Sequence, residues 1–174
     1  GQDEPPGQRA RSGLHIQYGE GLRSLSGLDA LRVVRGTVEV SYCALDTLEG
    51  LGGLQTVDGN LFVEFNPMLQ TLAGADSLVS VAGFLRITRN NGLERIAGLD
   101  RLETVGSLVV GQNNNFVALD GFAKLKAADL LFVSLNPALK EVELNALIEL
   151  QNFQLFNNAG LLELRLRQSR CLLC

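Results

Sequence analysis

The stretch from Gly59 to Leu72 reads G-N-L-F-V-E-F-N-P-M-L-Q-T-L. Alone it describes a short strand and a turn. The chain then writes it again. Gly83 to Ile96 is G-F-L-R-I-T-R-N-N-G-L-E-R-I, Gly106 to Leu119 is G-S-L-V-V-G-Q-N-N-N-F-V-A-L, and Asp129 to Val142 is D-L-L-F-V-S-L-N-P-A-L-K-E-V. Two apolar positions separated by one residue recur in every copy. The first set is Leu14, Val38, Leu61, Leu85, Leu108, Leu131 and Phe153, spaced 24, 23, 24, 23, 23 and 22 residues apart. The second set is Ile16, Val40, Val63, Ile87, Val110, Val133 and Leu155. Period-two alternation with β-branched residues at the second position marks a strand with one buried side.

The rest of each copy is equally regular. Leu69, Leu93, Phe116, Leu139 and Leu161 follow the second position by six residues, and Leu72, Ile96, Leu119, Val142 and Leu164 come three later. Leu45 sits one residue early, so the second copy is short. A Gly-apolar pair follows (Gly50-Leu51, Gly74-Ala75, Gly98-Leu99, Gly121-Phe122), then a closing pair such as Leu54/Val57 or Leu78/Val81. Seven copies of 22–24 residues with fixed apolar slots predict a mainly β fold, a parallel β-helix of about seven coils. One copy cannot bury its own apolar side, and stacked copies can. The apolar spacing is too tight for a long helix in each coil. Neighbouring strands about 4.8 Å apart would give a stack on the order of 34 Å long.

An Asn stands three residues after the second position in five consecutive coils: Asn66, Asn90, Asn113, Asn136 and Asn158. A polar residue in a fixed slot of a solenoid satisfies backbone groups of the turn and bonds to its counterpart one coil away, so these five read as a structural ladder. Cys43 fills that slot in the short coil as a small, weakly polar filler. The last two coils depart from the pattern. Asp129 and Gln151 replace the Gly that opens the strand, and Leu144-Asn145 and Leu166-Arg167 replace the Gly-apolar pair. Terminal repeats are atypical because they end the stack.

Composition narrows the classes further. The chain has 174 residues, 46% of them hydrophobic, 19 Gly and a net charge of -4. That suffices for one domain with a sizeable core. A basic face for nucleic acid is missing, and no apolar run reaches the length of a transmembrane segment. Residues 1–13 read as a flexible leader, 14–166 as the β-helix, and 167–174 as a cap or the start of a following segment. Cys171 and Cys174 form a C-x2-C without a second ligand pair. They read as bystanders or disulfide partners, with metal binding the remaining alternative. No metal site, cofactor or catalytic residue is expected. The lone His15 has no matching Ser or Cys, and no nucleophile-elbow or phosphate-loop motif occurs. Glu39, Glu64 and Arg86 on neighbouring coils are the nearest approach to an active site, and a solvated charge row describes them equally.

The repeat resembles the receptor L domain. The resemblance rests on G-N-L-F-V-E-F-N-P-M-L-Q-T-L-A-G-A and G-F-L-R-I-T-R-N-N-G-L-E-R-I-A-G-L, and it covers Leu14 to about Leu164. That family includes the L domains of the insulin and epidermal growth factor receptors and also bacterial and fungal surface proteins. The related leucine-rich repeat, L-x-L-x-x-N, spends more of each repeat on a helix or arc. The resemblance implies a right-handed β-helix, secreted or displayed at the cell surface, that binds rather than catalyses. The dense disulfides of the receptor examples are missing, which points to a bacterial or fungal surface protein.

A binding module must use an outward face. Between the two buried positions lie His15, Glu39, Phe62, Arg86, Val109, Phe132 and Gln154. Phe62, Val109 and Phe132 are the expected apolar anchors for a protein or glycan partner, with Glu64, Arg86 and Arg89 setting polarity. Tyr18, Tyr42, Phe65 and Leu135, just before the Asn slot, are expected to tuck into the bend. The alternatives are a structural spacer of a wall or envelope and a glycan-processing enzyme. Uncovered first and last coils make a homo-oligomer a further expectation.

Overall fold

The structure is a computed structural model and describes residues 9, 10 and 12–166. Most of the expected leader, the expected cap at 167–174, and Cys171 and Cys174 lie outside the described residues. The described residues form an all-β solenoid of about seven turns with thirteen strands and no helix. In chain order these are β1 (Arg9–Ala10), β2 (Gly13–Gln17), β3 (Val33–Val34), β4 (Thr37–Ser41), β5 (Thr56–Val57), β6 (Leu61–Glu64) and β7 (Ser80–Thr88). They continue as β8 (Thr104–Gly111), β9 (Ala118–Leu119), β10 (Ala127–Ser134), β11 (Glu141–Leu144), β12 (Glu149–Phe156) and β13 (Glu163–Leu166).

Every pairing is parallel and joins one coil to the next. The register places Leu14, Val38, Leu61, Leu85, Leu108, Leu131 and Phe153 side by side. Ile16, Val40, Val63, Ile87, Val110, Val133 and Leu155 form the second inward row. Both rows are the ones the sequence spacing predicts. Pairing begins ahead of residue 14, however. Arg9 and Ala10 already pair with Val33 and Val34, so the first coil draws on part of the stretch expected to be leader.

A coil has three sides. The main strand forms one and the short strand before it a second, and from β7 onward these run on as a single strand. One irregularity falls between Val81 and Phe84, where the fourth coil is a residue longer than its neighbour. The third side changes along the molecule. In the early coils it is a turn built on Gly50, Gly74 and Gly98, with φ between +97° and +109°. A Cβ on these glycines would lie 2.1–2.4 Å from the backbone of the preceding coil. Only Gly satisfies both conditions. Where the later coils carry Leu144 and Leu166 instead, the side straightens into β11 and β13, which pair in parallel.

The core is one continuous apolar cluster running along the axis, with Leu69, Leu85, Ile87, Leu93 and Phe116 fully buried. Leu14, Ile16, Phe153 and Leu155, on the terminal coils, are only partly buried. Each coil is covered by two neighbours, and the end coils have one among the described residues.

The corner after the main strand is held by the asparagines, all but Asn158 fully buried. Each amide nitrogen donates to the carbonyl of the second inward residue one coil back: Asn66 to Val40, Asn90 to Val63, Asn113 to Ile87, Asn136 to Val110 and Asn158 to Val133, at 2.8–3.2 Å. Each amide oxygen accepts the backbone N–H of the same slot one coil back, from Cys43 through Asn136, at 2.9–3.1 Å. These main-chain groups bend away from the sheet ladder inside a dry core. An unsatisfied one would cost about 1–3 kcal/mol. Cys43 substitutes weakly, its thiol directed at the carbonyls of Ser41 (3.3 Å) and Ile16 (3.8 Å).

Candidate functional site

Strand alternation sends every residue between the two inward rows to the outside. The register aligns His15, Glu39, Phe62, Arg86, Val109, Phe132 and Gln154 into one row on the main sheet, as expected. Phe62, Val109 and Phe132 are half-buried, covered at their sides by neighbours within the row. The Arg86 guanidinium lies 4.3 Å above the Phe62 ring. Phe132 packs against Phe156 at 6.0 Å, tilted by 47°. Glu64 stands in the adjacent row, where it accepts a 2.6 Å hydrogen bond from the Thr88 hydroxyl and faces Arg86 at 3.5 Å. Five of the six expected contact residues thus share one face: Phe62, Glu64, Arg86, Val109 and Phe132.

The two acids and Arg86 do not form a single cluster. Glu39 is engaged by His15 at 3.4 Å and Ser41 at 3.2 Å, while Glu64 belongs with Thr88 and Arg86. Partial burial pushes the Glu39 carboxyl up. Hydrogen bonds from Gln17, His15 and Ser41, with the charge of His15, outweigh that and hold it below its ordinary range. Among the described residues no group of His, Cys, Asp and Glu is arranged to hold a metal ion.

Arg89, the sixth residue, lies elsewhere, and its position exposes an error in the sequence reading. The slot before each Asn does not tuck into the bend. Tyr18, Tyr42, Phe65, Arg89, Gln112, Leu135 and Asn157 all adopt left-handed backbone with φ of 53–58°. That conformation turns the chain so that this side chain points out while the next one, the Asn, points in. It is uncommon for any residue but Gly, Asn or Asp. Tyr18 is 74% exposed and Tyr42 39%. The rings form a column: Tyr18 on Tyr42 at 5.0 Å and Tyr42 on Phe65 at 4.5 Å, each pair within 11° of parallel. Arg89 caps it, 4.6 Å from the Phe65 centroid.

Beside this column runs a groove of about 770 Å³. Tyr42, Phe65, Arg89 and Gln112 make one wall, and the residues just past the Asn slot, among them Ala44, Pro67, Asn91 and Asn114, make the other. Met68, half exposed, lines it as well. A smaller hollow of about 380 Å³ shares Gln112 and Asn114 and extends past Leu135 and Pro137 to Asn157. The sequence carries a signal for this wall. Three successive aromatics stand at one slot, but nothing in their identity announces a positive φ.

No protein-family model, no curated protein and no solved structure matches the chain.

Proposed function

We propose that this chain is a receptor-L-domain-like recognition module, secreted or displayed at the cell surface, that binds a protein partner through its main sheet. The row from Phe62 to Phe132 carries the reading. It places two aromatic rings and a Val on a rigid parallel register, with Arg86 oriented by Phe62 on one side and Glu64 on another. Preorganised aromatic and Arg groups are the residues that dominate interface energetics. Glycan remains the second ligand class, and catalysis forms no part of the proposal.

The test uses labelled protein on intact cells of the producing organism and on its secreted proteins. Wild type should bind saturably. The Phe62→Ser/Phe132→Ser double variant should lose at least ten-fold in affinity with its circular dichroism unchanged. Equal binding by a folded double variant would favour the role of structural spacer.

A further inference from the structure

We propose that the corner groove beside the aromatic column is a separate binding site for an extended peptide in which apolar residues are followed by a carboxylate. It stands independently of the main-sheet proposal, since it uses different residues on a different side of the coil.

The volume suits a ligand site, for which about 300–1,000 Å³ is usual. Its chemistry is divided along the axis. The first coil places Glu20 at one end, the second and third coils supply Tyr42, Phe65, Pro67 and Met68, and the fourth and fifth supply Arg89, Asn91, Gln112 and Asn114. The groove's own carboxylate thus lies at the end away from Arg89. The apolar half therefore passes into a cationic, amide-rich half within one coil. A coil advances about 4.8 Å, against about 3.3 Å per residue of extended peptide, so the carboxylate belongs one or two residues after the last apolar side chain.

Arg89 is the decisive residue. Arg86 has its carboxylate in Glu64 at 3.5 Å, whereas among the described residues no carboxylate pairs with Arg89. Its guanidinium carbon lies 4.6 Å from the Phe65 ring centroid. A cation–π contact engages the ring face and takes up none of the N–H donors, which stay free to receive a carboxylate. Asn91 and Asn114 line the groove on adjacent coils. The Asn91 amide oxygen already accepts the Asn114 backbone N–H at 3.4 Å, which leaves the Asn91 amide nitrogen and the Asn114 amide for a peptide backbone.

The column also argues against a sugar. Both faces of Tyr42 are covered, by Tyr18 and Phe65, and Phe65 lies between Tyr42 and Arg89. A sugar ring needs an open aromatic face, and this groove offers ring edges. Edges and the adaptable Met68 suit aliphatic side chains. A short amphiphilic acid would fill the first half only, whereas the continuation past Leu135 to Asn157 accommodates a longer chain.

The probe is a library of acetylated heptapeptide amides, randomised over Leu, Ile, Val, Pro and Phe, with Asp or Glu fixed at the sixth position. A matched library carries Asn or Gln there. Retention on immobilised protein is read by mass spectrometry. The acidic library should be retained at least ten-fold over the neutral one, and Arg89→Gln should abolish that preference. Gln is safe at this backbone, since Gln112 fills the same slot one coil on with the same φ. Arg86→Gln, on the main sheet, should leave the preference intact, which separates this proposal from the previous one. Equal or no retention of the two libraries, or a preference surviving Arg89→Gln, would overturn it. Displacement of the bound peptides by decanoate would reassign the groove to a lipid acid, and displacement by trigalacturonate to a glycan. Either result overturns the peptide assignment.

Discussion

Two neighbouring rows differ by one position in each coil and behave as opposites. The inner row is Asn66, Asn90, Asn113, Asn136 and Asn158, uniform in identity and fully buried up to the last coil. The outer row is Tyr18, Tyr42, Phe65, Arg89, Gln112, Leu135 and Asn157, uniform in backbone and varied in side chain. The inner row is fixed by what it must bond: one carbonyl and one N–H of the coil before. The outer row is fixed only in φ, and within that constraint its chemistry is free to serve the surface. Five of its first six members are neither Gly nor Asn and also not Leu, so the strained backbone carries aromatic, cationic and amide groups.

The comparison breaks most severely at the inner row. Asn113→Ala should leave the Ile87 carbonyl and the Asn90 N–H without partners. With about 1–3 kcal/mol for each buried group, the expected loss is on the order of 3 kcal/mol, read as a lower urea midpoint with an unchanged slope. A loss under 1 kcal/mol would mean that water replaces the amide and that the ladder is not what fixes the corner.

The outer row sharpens the contrast through a pair of variants. Leu135 is 45% exposed and heads no ring column. Leu135→Asn relieves a left-handed cost of about 1–2 kcal/mol and gives up partial burial, so stability should stay level or rise by about 0.5 kcal/mol. Phe65→Asn gains the same relief but loses its contacts with Tyr42 and Arg89. Stacking and cation–π terms of about 0.5–1.5 kcal/mol each, with the lost burial, should leave it about 1–2 kcal/mol less stable. Equal effects in chemical denaturation would show that the column contributes nothing to the fold.

The smallest expected effect lies on the main sheet. The folded Glu39 carboxyl titrates below its ordinary value, so its contribution is present above the unfolded value and is lost as pH falls through the folded one. Glu39→Gln should flatten the decline in urea midpoint between about pH 5 and pH 3, by comparison with wild type. An unaltered pH profile would show that its hydrogen bonds do not favour the charged form.

Most of the fold was legible because period and spacing determine which residues face inward. Leu61 and Val63 could be assigned to the core, and Asn66 to the turn, from their recurrence alone. The main-sheet row followed by elimination. The corner was not legible, because the direction of Phe65 depends on the sign of one torsion angle. Aromatic residues ordinarily take the negative sign, so the identity of Tyr42 or Phe65 argues against the conformation both adopt. The third side was partly legible. Gly74 and Gly98 mark turns, but the conversion of Leu144 and Leu166 into paired strands needed the stacked neighbours. Arg9 and Ala10 have no apolar periodicity to betray their pairing with Val33 and Val34.

The asparagine ladder also has a polarity. Each amide oxygen receives an N–H from the coil before it, so the chain of bonds points one way along the axis. At one end it stops, since Cys43 and Gly19 hold the slot without an amide. Toward the other end, Asn158 is the last amide of the ladder among the described residues. The column is therefore closed at its beginning and directed toward the coils that follow. A 23-residue unit spliced in after Asn158, carrying its own Asn in register, would continue it, while the same unit spliced in ahead of Gly19 would find no amide to accept its N–H. For anyone lengthening this scaffold to build a longer binding surface, the direction of growth is already written into one column of side chains.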